Sequence, residues 1–191
     1  MSRSRPSLSV LALPALLASV LGAVLAGCSL GGERPAASAT PASPEEPAGV
    51  SIPSIGVRSQ LLRLGLNKDA TVQVPPPEKG KTAGWYTGGA VPGERGPAVI
   101  IGHDDGPDGQ AVFHELHRLG KGDVVDVERG DGTVLHFTVT GTEKVAKNSF
   151  PAKKVYGDTT ERALRLVTCA CELDANGHPV RSLIVYATLK S

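Results

Sequence analysis

From Val50 onward the chain is a succession of short apolar runs, most of them rich in β-branched residues. Glycine and proline separate these runs, and the whole sequence contains 23 glycines and 15 prolines. Proline cannot donate a hydrogen bond to a strand ladder, and both residues favour turns. The sequence therefore predicts an all-β domain of short strands joined by tight connections.

The predicted strands before the middle of the chain are Val50–Ile55, Ser59–Leu66, Thr71–Val74 and Ala98–Gly102. Between the last two, residues 79–95 are mostly turn formers, and Trp85 within them is predicted to plug the core. Residues 112–119 have apolar side chains at helical spacing up to Gly120, which predicts one short helix.

The second half predicts a hairpin of Val124–Glu128 and Thr133–Glu143 around a turn at residues 130–132. A long polar loop over residues 145–162 follows, and then the strand Leu164–Cys169 and the final strand Leu183–Ala187. His114 and His117 lie three residues apart on the predicted helix. They are interpreted as exposed histidines, with a metal-binding pair as the alternative.

The first 28 residues are typical of an export signal. Arg3 and Arg5 precede an almost unbroken apolar stretch from Leu8 to Leu25, and Leu25–Cys28 looks like a bacterial lipobox. We expect Cys28 to be lipidated; the alternative is an uncleaved membrane anchor. Either hypothesis places the protein on the extracytoplasmic face of the cell membrane.

Residues 29–49 are rich in proline, alanine and serine and have no apolar period, which predicts a linker. Residues 50–191 then form one domain, which is of ordinary size for a single core. The net charge is +1 at pH 7. Such a balance gives no electrostatic basis for binding nucleic acid.

Three chemically useful side chains lie at the ends of predicted strands. Cys169 ends the strand that begins at Leu164, His103 follows Gly102, and Arg181 precedes the final apolar run. A thiol becomes a nucleophile when a base or a positive charge favours its thiolate. The order His, Cys, Arg therefore predicts a cysteine-based active site.

Five segments of the sequence carry a resemblance to a known family: VSIPSIGV, GWYTGGAVPGERGPAVIIGHDD, VFHELHRLGKGDVVDV, LRLVTC and RSLIVYATL. In this order and spacing they resemble the sortases. These are cysteine transpeptidases of Gram-positive cell surfaces, and the resemblance is strongest to the class F sortases of actinobacteria. It extends over residues 50–189 and implies an eight-stranded β-barrel with one short helix.

The resemblance also implies roles for individual residues. Cys169 would attack a peptide carbonyl and form a thioacyl intermediate. His103 would transfer protons, and Arg181 would stabilise the oxyanion or hold the substrate backbone. Asp105, which matches an acid in the family's GHxD pattern, and Thr168 would support the site. The loop before the cysteine strand helps to form the sorting-signal groove in sortases, which implies contacts from Phe150, Val155 and Tyr156.

Two positions depart from the family pattern. In many sortases the arginine stands one residue nearer the final apolar run, where this chain has Ser182. A shift of one residue moves a side chain to the other face of a strand, so Arg165 is a second candidate. Class F sequences tend to have two glycines after the nucleophile, whereas this chain has Ala170 and Cys171. Cys171 could protect Cys169 reversibly or be an incidental second thiol.

The implied partners are secreted proteins with an LPXTG-like sorting signal and a peptidoglycan-precursor amine or water. No cofactor or metal is implied, and a monomer is expected. An alternative is an extracytoplasmic copper or redox protein that uses Cys169, Cys171 and His178. Another is a sortase-like lipoprotein without activity. A transpeptidase of the LD type is disfavoured, because its Ser-x-Gly-Cys run is missing.

Overall fold

The apolar runs form the strands of a closed barrel in a computed structural model that describes residues 43, 45–107, 109–173 and 179–190. For residues 169–173 and 179–180 the structure describes the backbone only. The strands are β1 (Pro47–Ile52), β2 (Val57–Leu64), β3 (Ala83–Tyr86), β4 (Gly96–Ile101), β5 (Asp105–Gly106), β6 (Gly109–Gln110), β7 (Val124–Arg129), β8 (Val134–Ala146), β9 (Arg162–Leu173) and β10 (Pro179–Leu189).

Eight of these strands close the barrel in the order β1-β2-β3-β4-β9-β10-β8-β7, and β5 and β6 pair separately. The pairs β2–β3 and β4–β9 are parallel, and the other pairs around the barrel are antiparallel. The predicted hairpin is confirmed, since β7 and β8 pair around the turn at residues 130–132. The predicted all-β barrel is therefore the observed fold.

Two predictions, one for residues 71–74 and one for the segment that contains β3, were wrong. Residues 71–74 form no barrel strand; Val72 makes one isolated bridge to Leu66. Trp85 lies in a strand and not in a turn region, because β3 is held between β2 and β4 by contacts distant in sequence. Trp85 is nonetheless the predicted core plug: it is 3% exposed, and its indole Nε1–H donates to the Ala90 carbonyl at 3.3 Å.

The one α-helix of the described residues, α1, spans Ala152–Tyr156, inside the region predicted as an irregular loop. The predicted helix is instead a 3₁₀ helix over His114–Arg118. Phe113, Leu116 and Leu119 are all buried, and their spacing of three matches the three residues per turn of a 3₁₀ helix. The position of the predicted helix is therefore confirmed, and its type is 3₁₀.

Alternation along the strands divides the buried apolar side chains between two clusters. The inner cluster fills the barrel and includes Leu164, Leu166 and Leu183. The outer cluster lies between the outside of the sheet and α1, and includes Ile101, Val167 and Ile184 among others. The middle parts of β4, β9 and β10 are thus covered on both faces, which explains why apolar residues there do not alternate with polar ones as they do along a half-exposed strand.

No helix in the described ranges is long and apolar enough to cross a membrane. The predicted export signal, Cys28 and His178 lie outside the described residues, as does most of the predicted linker. The predictions for these segments are untested. The first strand, β1, begins at Pro47, slightly before the predicted domain boundary at residue 50.

Candidate active site

The parallel pairing of β4 with β9 leads up to the two predicted catalytic positions, His103 and Cys169. Ile101 pairs with Val167, and the Gly102 N–H continues the ladder by donating to the Val167 carbonyl at 3.1 Å. His103 is two residues beyond Ile101, and Cys169 is two residues beyond Val167 on β9. Neighbouring strands lie about 4.8 Å apart, so a register continued past the last paired residues would set these two positions side by side.

The residues that precede both positions lie on the outer face of the sheet. Val167 is a member of the outer cluster, and Cys169 is two residues further along the same strand. Regular alternation along β9 puts position 169 on the face of Val167, and Ile101, two residues before His103, belongs to the same cluster. Thr168 has the opposite parity; it pairs with Leu183 and is 3% exposed.

The last strand places a serine opposite the cysteine. Ser182 pairs with Cys169, and Arg181 pairs with Ala170. Because Ile184 belongs to the outer cluster, Ser182 shares the face of Cys169 and Arg181 has the parity of Leu183. Regular pairing of β10 with β9 begins at Arg181, after an irregularity that follows Pro179, and Arg181 is exposed.

The His103 imidazole is half-buried, and its Nε2 lies 2.6 Å from the carbonyl oxygen of Pro75. On the backbone side, the Phe113 N–H donates to the His103 carbonyl at 2.9 Å. Pro75 was not among the residues predicted for the site. The available signal was the proline triplet at residues 75–77, since carbonyls of a proline run are not used within the run itself.

Asp105 contacts a second histidine, His114, the first residue of the 3₁₀ helix. Its Oδ1 is 3.1 Å from Nδ1 of His114, and Asp104 Oδ1 is 3.5 Å from the same nitrogen. Asp105 also pairs with Gln110 in the small hairpin of β5 and β6. These contacts tie Asp105 to the 3₁₀ helix and to the small hairpin, and so order the loop after His103.

Within the described ranges, Asp104, Asp105 and His114 are the one group whose potential metal-ligand atoms lie within 4.8 Å of one another. The pair suggested as an alternative, His114 with His117, is arranged differently. His117 uses Nδ1 to contact the His114 carbonyl at 3.0 Å, so its nearest ring nitrogen is engaged within the 3₁₀ helix.

The three residues predicted for the substrate groove lie on or beside α1, over the outer face. Val155 is fully buried in the outer cluster, so it anchors the helix to the sheet. Tyr156 is half-buried and meets Tyr86 edge-on at 5.7 Å between ring centroids, and Phe150 lies 6.1 Å from Tyr156. Burial raises the pKa of the Tyr156 hydroxyl. Phe150 and Tyr156 keep partial exposure on this surface.

Arg165, the second candidate arginine, shares the face of Cys169 but lies four residues away, or about 13 Å along the strand. Its guanidinium donates to the carbonyls of Leu164 at 3.1 Å and Ala187 at 3.4 Å, and lies 4.9 Å from the Tyr186 ring centroid. Burial lowers the pKa of this guanidinium from its ordinary value. Its contacts place it away from the His103–Cys169 pair.

The closed β-barrel carries the two predicted catalytic residues just after β4 and on β9, which are neighbouring parallel strands. The sortase domain model matches residues 50–190. The chain therefore belongs to the sortase family, a family of cysteine transpeptidases.

Solved sortases have the same fold. Sortase C1 from Streptococcus agalactiae is 18% identical, with a TM-score of 0.59 over 75% of this chain and 67% of its own. Sortase C from Streptococcus pneumoniae is 25% identical, with a TM-score of 0.58 over 77% and 67%. A lid mutant of sortase A from Corynebacterium diphtheriae is 21% identical, with a TM-score of 0.58 over 76% and 70%. Comparison with curated protein sequences returns no match.

Proposed function

We propose that this sortase cleaves an LPXTG-like sorting signal of secreted proteins between Thr and Gly, and transfers the cleaved protein to an amine of a peptidoglycan precursor. The observation that supports the proposal is the parallel pairing of β4 with β9, which continues to Ile101 and Val167, two residues before His103 and Cys169. Water is the alternative acceptor, and no cofactor takes part. The enzyme acts as a monomer.

In the proposed reaction the Cys169 thiolate attacks the scissile carbonyl carbon, and the carbon–sulfur bond forms. The carbon–nitrogen bond then breaks as His103 gives a proton to the leaving amine. The thioester preserves the activation of the acyl group until an amine arrives. His103 takes a proton from that amine, and the new amide forms as the thiolate leaves.

Arg181 is proposed to stabilise the oxyanion, because a guanidinium remains charged and offers several fixed donors. It is the cationic residue of β10 next to the Ser182–Cys169 pair. Thr168, immediately before the nucleophile, is proposed to support the site through its buried position. Asp105 is proposed to order the loop after His103 through His114.

Phe150 and Tyr156 are proposed to contact the apolar part of the sorting signal. Both are aromatic, partly exposed and next to each other on the covered outer face. Val155 is proposed to act indirectly, by fixing α1 against the sheet.

We also propose that the protein is tethered to the extracytoplasmic face of the membrane through a lipid on Cys28, and that it belongs to class F. The sequence of residues 25–28 supports the tether. A Cys28→Ala variant expressed in the native host should leave the membrane fraction. Continued sedimentation with membranes would favour the uncleaved anchor.

The central experiment is intact-mass analysis of the full-length chain incubated with an LPXTG-type peptide, with and without an amine acceptor. We expect an acyl adduct that forms in wild type and in Cys171→Ala, is absent in Cys169→Ala, and is discharged by the amine. If Cys169→Ala cleaves the peptide as wild type does, the proposed function is wrong. If no adduct forms in reductant, while copper binds and binding needs both Cys169 and Cys171, metal handling replaces transpeptidation as the proposed function.

A further inference from the structure

We propose that Pro75 is the positioning residue for His103: its carbonyl holds the imidazole with a proton on Nε2, which leaves Nδ1 to exchange protons with the substrate. The inference rests on the proposed role of His103 as acid and base. It assigns that role to one ring nitrogen and names the group that orients the ring.

The assignment follows from hydrogen-bond chemistry. Nε2 of His103 is 2.6 Å from the Pro75 oxygen. A carbonyl oxygen can only accept, so Nε2 must carry a hydrogen in this contact. In a neutral imidazole that hydrogen leaves Nδ1 as the acceptor, and in the imidazolium Nδ1 carries the second proton. The Nε2 hydrogen is retained in both states, so the proton that moves is the one on Nδ1.

The chain around Pro75 suits this task. Pro76 has φ of −58° and ψ of 143°, an extended proline conformation without internal hydrogen bonds. The Pro75 carbonyl is therefore not used by its own segment. Proline rings also restrict the backbone, so a carbonyl at this position is fixed with little further loss of conformational entropy.

The proline segment and the loop after His103 are tied to each other. The Val112 N–H donates to the Gly80 carbonyl at 2.8 Å, and the next residue, Phe113, donates to the His103 carbonyl at 2.9 Å. On the proline side, the Lys79 N–H donates to the Pro76 carbonyl at 2.8 Å. The His103 backbone and the Pro75 acceptor are thus held relative to each other by backbone bonds.

The proton balance of the reaction is complete with this assignment. During acylation the leaving amine takes the proton from Nδ1. The imidazole becomes neutral, and its Nε2–H still donates to the Pro75 carbonyl. During deacylation Nδ1 takes a proton from the incoming amine or water. The ring does not need to rotate between the two steps.

The test uses ¹⁵N-histidine NMR of the full-length chain, with two variants at position 76 made by cell-free translation. Pro76→lactic acid converts the amide that contains the Pro75 carbonyl into an ester, which is a weaker acceptor. Pro76→Ala is the matched control, since it loses the same ring but keeps the amide. Neutral His103 should show a protonated Nε2 and an unprotonated Nδ1 in wild type and in Pro76→Ala.

In the ester variant we expect the two neutral tautomers to mix, and kcat to fall about fivefold relative to Pro76→Ala with KM unchanged. A hydrogen on Nδ1 in neutral wild-type His103 would overturn the proposal. So would an ester variant whose spectrum and kcat equal those of Pro76→Ala. Failure of the proposed function would appear separately, as the absence of a Cys169 adduct, because the tautomer is measured without substrate.

Discussion

Ser182 of β10 pairs directly with Cys169 of β9, and Arg181 pairs one residue further along, with Ala170. Ser182 has the outward parity of Cys169 and is 6% exposed, whereas Arg181 has inward parity and is exposed. The position that faces the nucleophile across the last strand therefore holds a small hydroxyl side chain. The cation that we propose for the oxyanion stands beside it.

We predict that Arg181→Ala lowers kcat/KM for an LPXTG-type peptide about 10²- to 10³-fold, as loss of an oxyanion donor does. Ser182→Ala should lower it less than about tenfold, because a hydroxyl contributes one neutral hydrogen bond. Arg162→Ala, which removes an exposed arginine at the start of β9, is the control and should change nothing. The role of Arg181 is refuted if folded Ser182→Ala loses as much activity as Arg181→Ala.

A second prediction concerns the glycine before His103. A Cβ on Gly102 would lie 2.6 Å from Cδ2 of Phe113 and 2.7 Å from Cγ1 of Val112, inside the packed core. Gly102→Ala should therefore destabilise the fold by about 1–3 kcal/mol through overpacking, and should lower kcat by displacing His103. Thermal unfolding and peptide cleavage measure the two effects.

Gly120→Ala is the matched control for that substitution, since its Cβ would meet nothing within 4 Å. It should retain wild-type stability and activity. Equal stability of Gly102→Ala and Gly120→Ala would contradict the tight packing inferred behind His103.

A third prediction concerns the anchor of α1. Val155 is fully buried between the helix and the sheet, and Val155→Ala removes two methyl groups from that contact. We expect a loss of about 2 kcal/mol from the free energy of unfolding. If α1 borders the substrate groove, KM should rise while kcat changes little. Lys153→Ala, at an exposed position of the same helix, provides the comparison. An unchanged KM in a measurably destabilised Val155→Ala would separate α1 from substrate binding.

A fourth prediction is a pH dependence of the contact between α1 and β8. Glu143 accepts hydrogen bonds from Lys154 at 2.5 Å and from the Tyr186 hydroxyl at 2.9 Å. The hydrogen bond from Lys154 is the main cause, and the bond from Tyr186 the second, that lowers the pKa of Glu143 below its usual 4.5. The bond to Glu143 raises the pKa of Lys154 above its usual 10.5.

The lowered pKa of Glu143 means that its stabilisation is complete above about pH 4.5 and is lost as pH falls through the folded-state value. The raised pKa of Lys154 means that its contribution to stability is complete below about pH 10.5 and is lost as pH rises through the folded-state value. Because the pair is exposed, we expect Glu143→Gln to cost less than about 1 kcal/mol at pH 7. The difference in Tm between wild type and Glu143→Gln should shrink when pH is lowered from 7 to 3. A difference independent of pH would exclude the ionic origin.

The sequence by itself determined most of the strand set and the identity of the chemistry-bearing residues. The runs that became β4, β9 and β10 are buried on both faces, so their composition is strongly constrained and easily identified. The β7–β8 hairpin is equally local, because its turn residues stand between two alternating segments. His103 and Cys169 could be chosen because each follows such a run directly.

Only the tertiary structure decided how these elements meet. β3 is a strand because β2 and β4 supply its hydrogen-bond partners, and nothing within residues 83–86 indicates those partners. The type of the predicted helix and the presence of α1 were decided in the same way. A spacing of three fits two helix types, and the five-residue α1 is stabilised by burial of Val155 and not by its own propensity. The Pro75 contact with His103 joins residues 28 positions apart through a backbone carbonyl, which every residue type has. A backbone acceptor leaves no mark in the sequence, so only the folded chain identifies it.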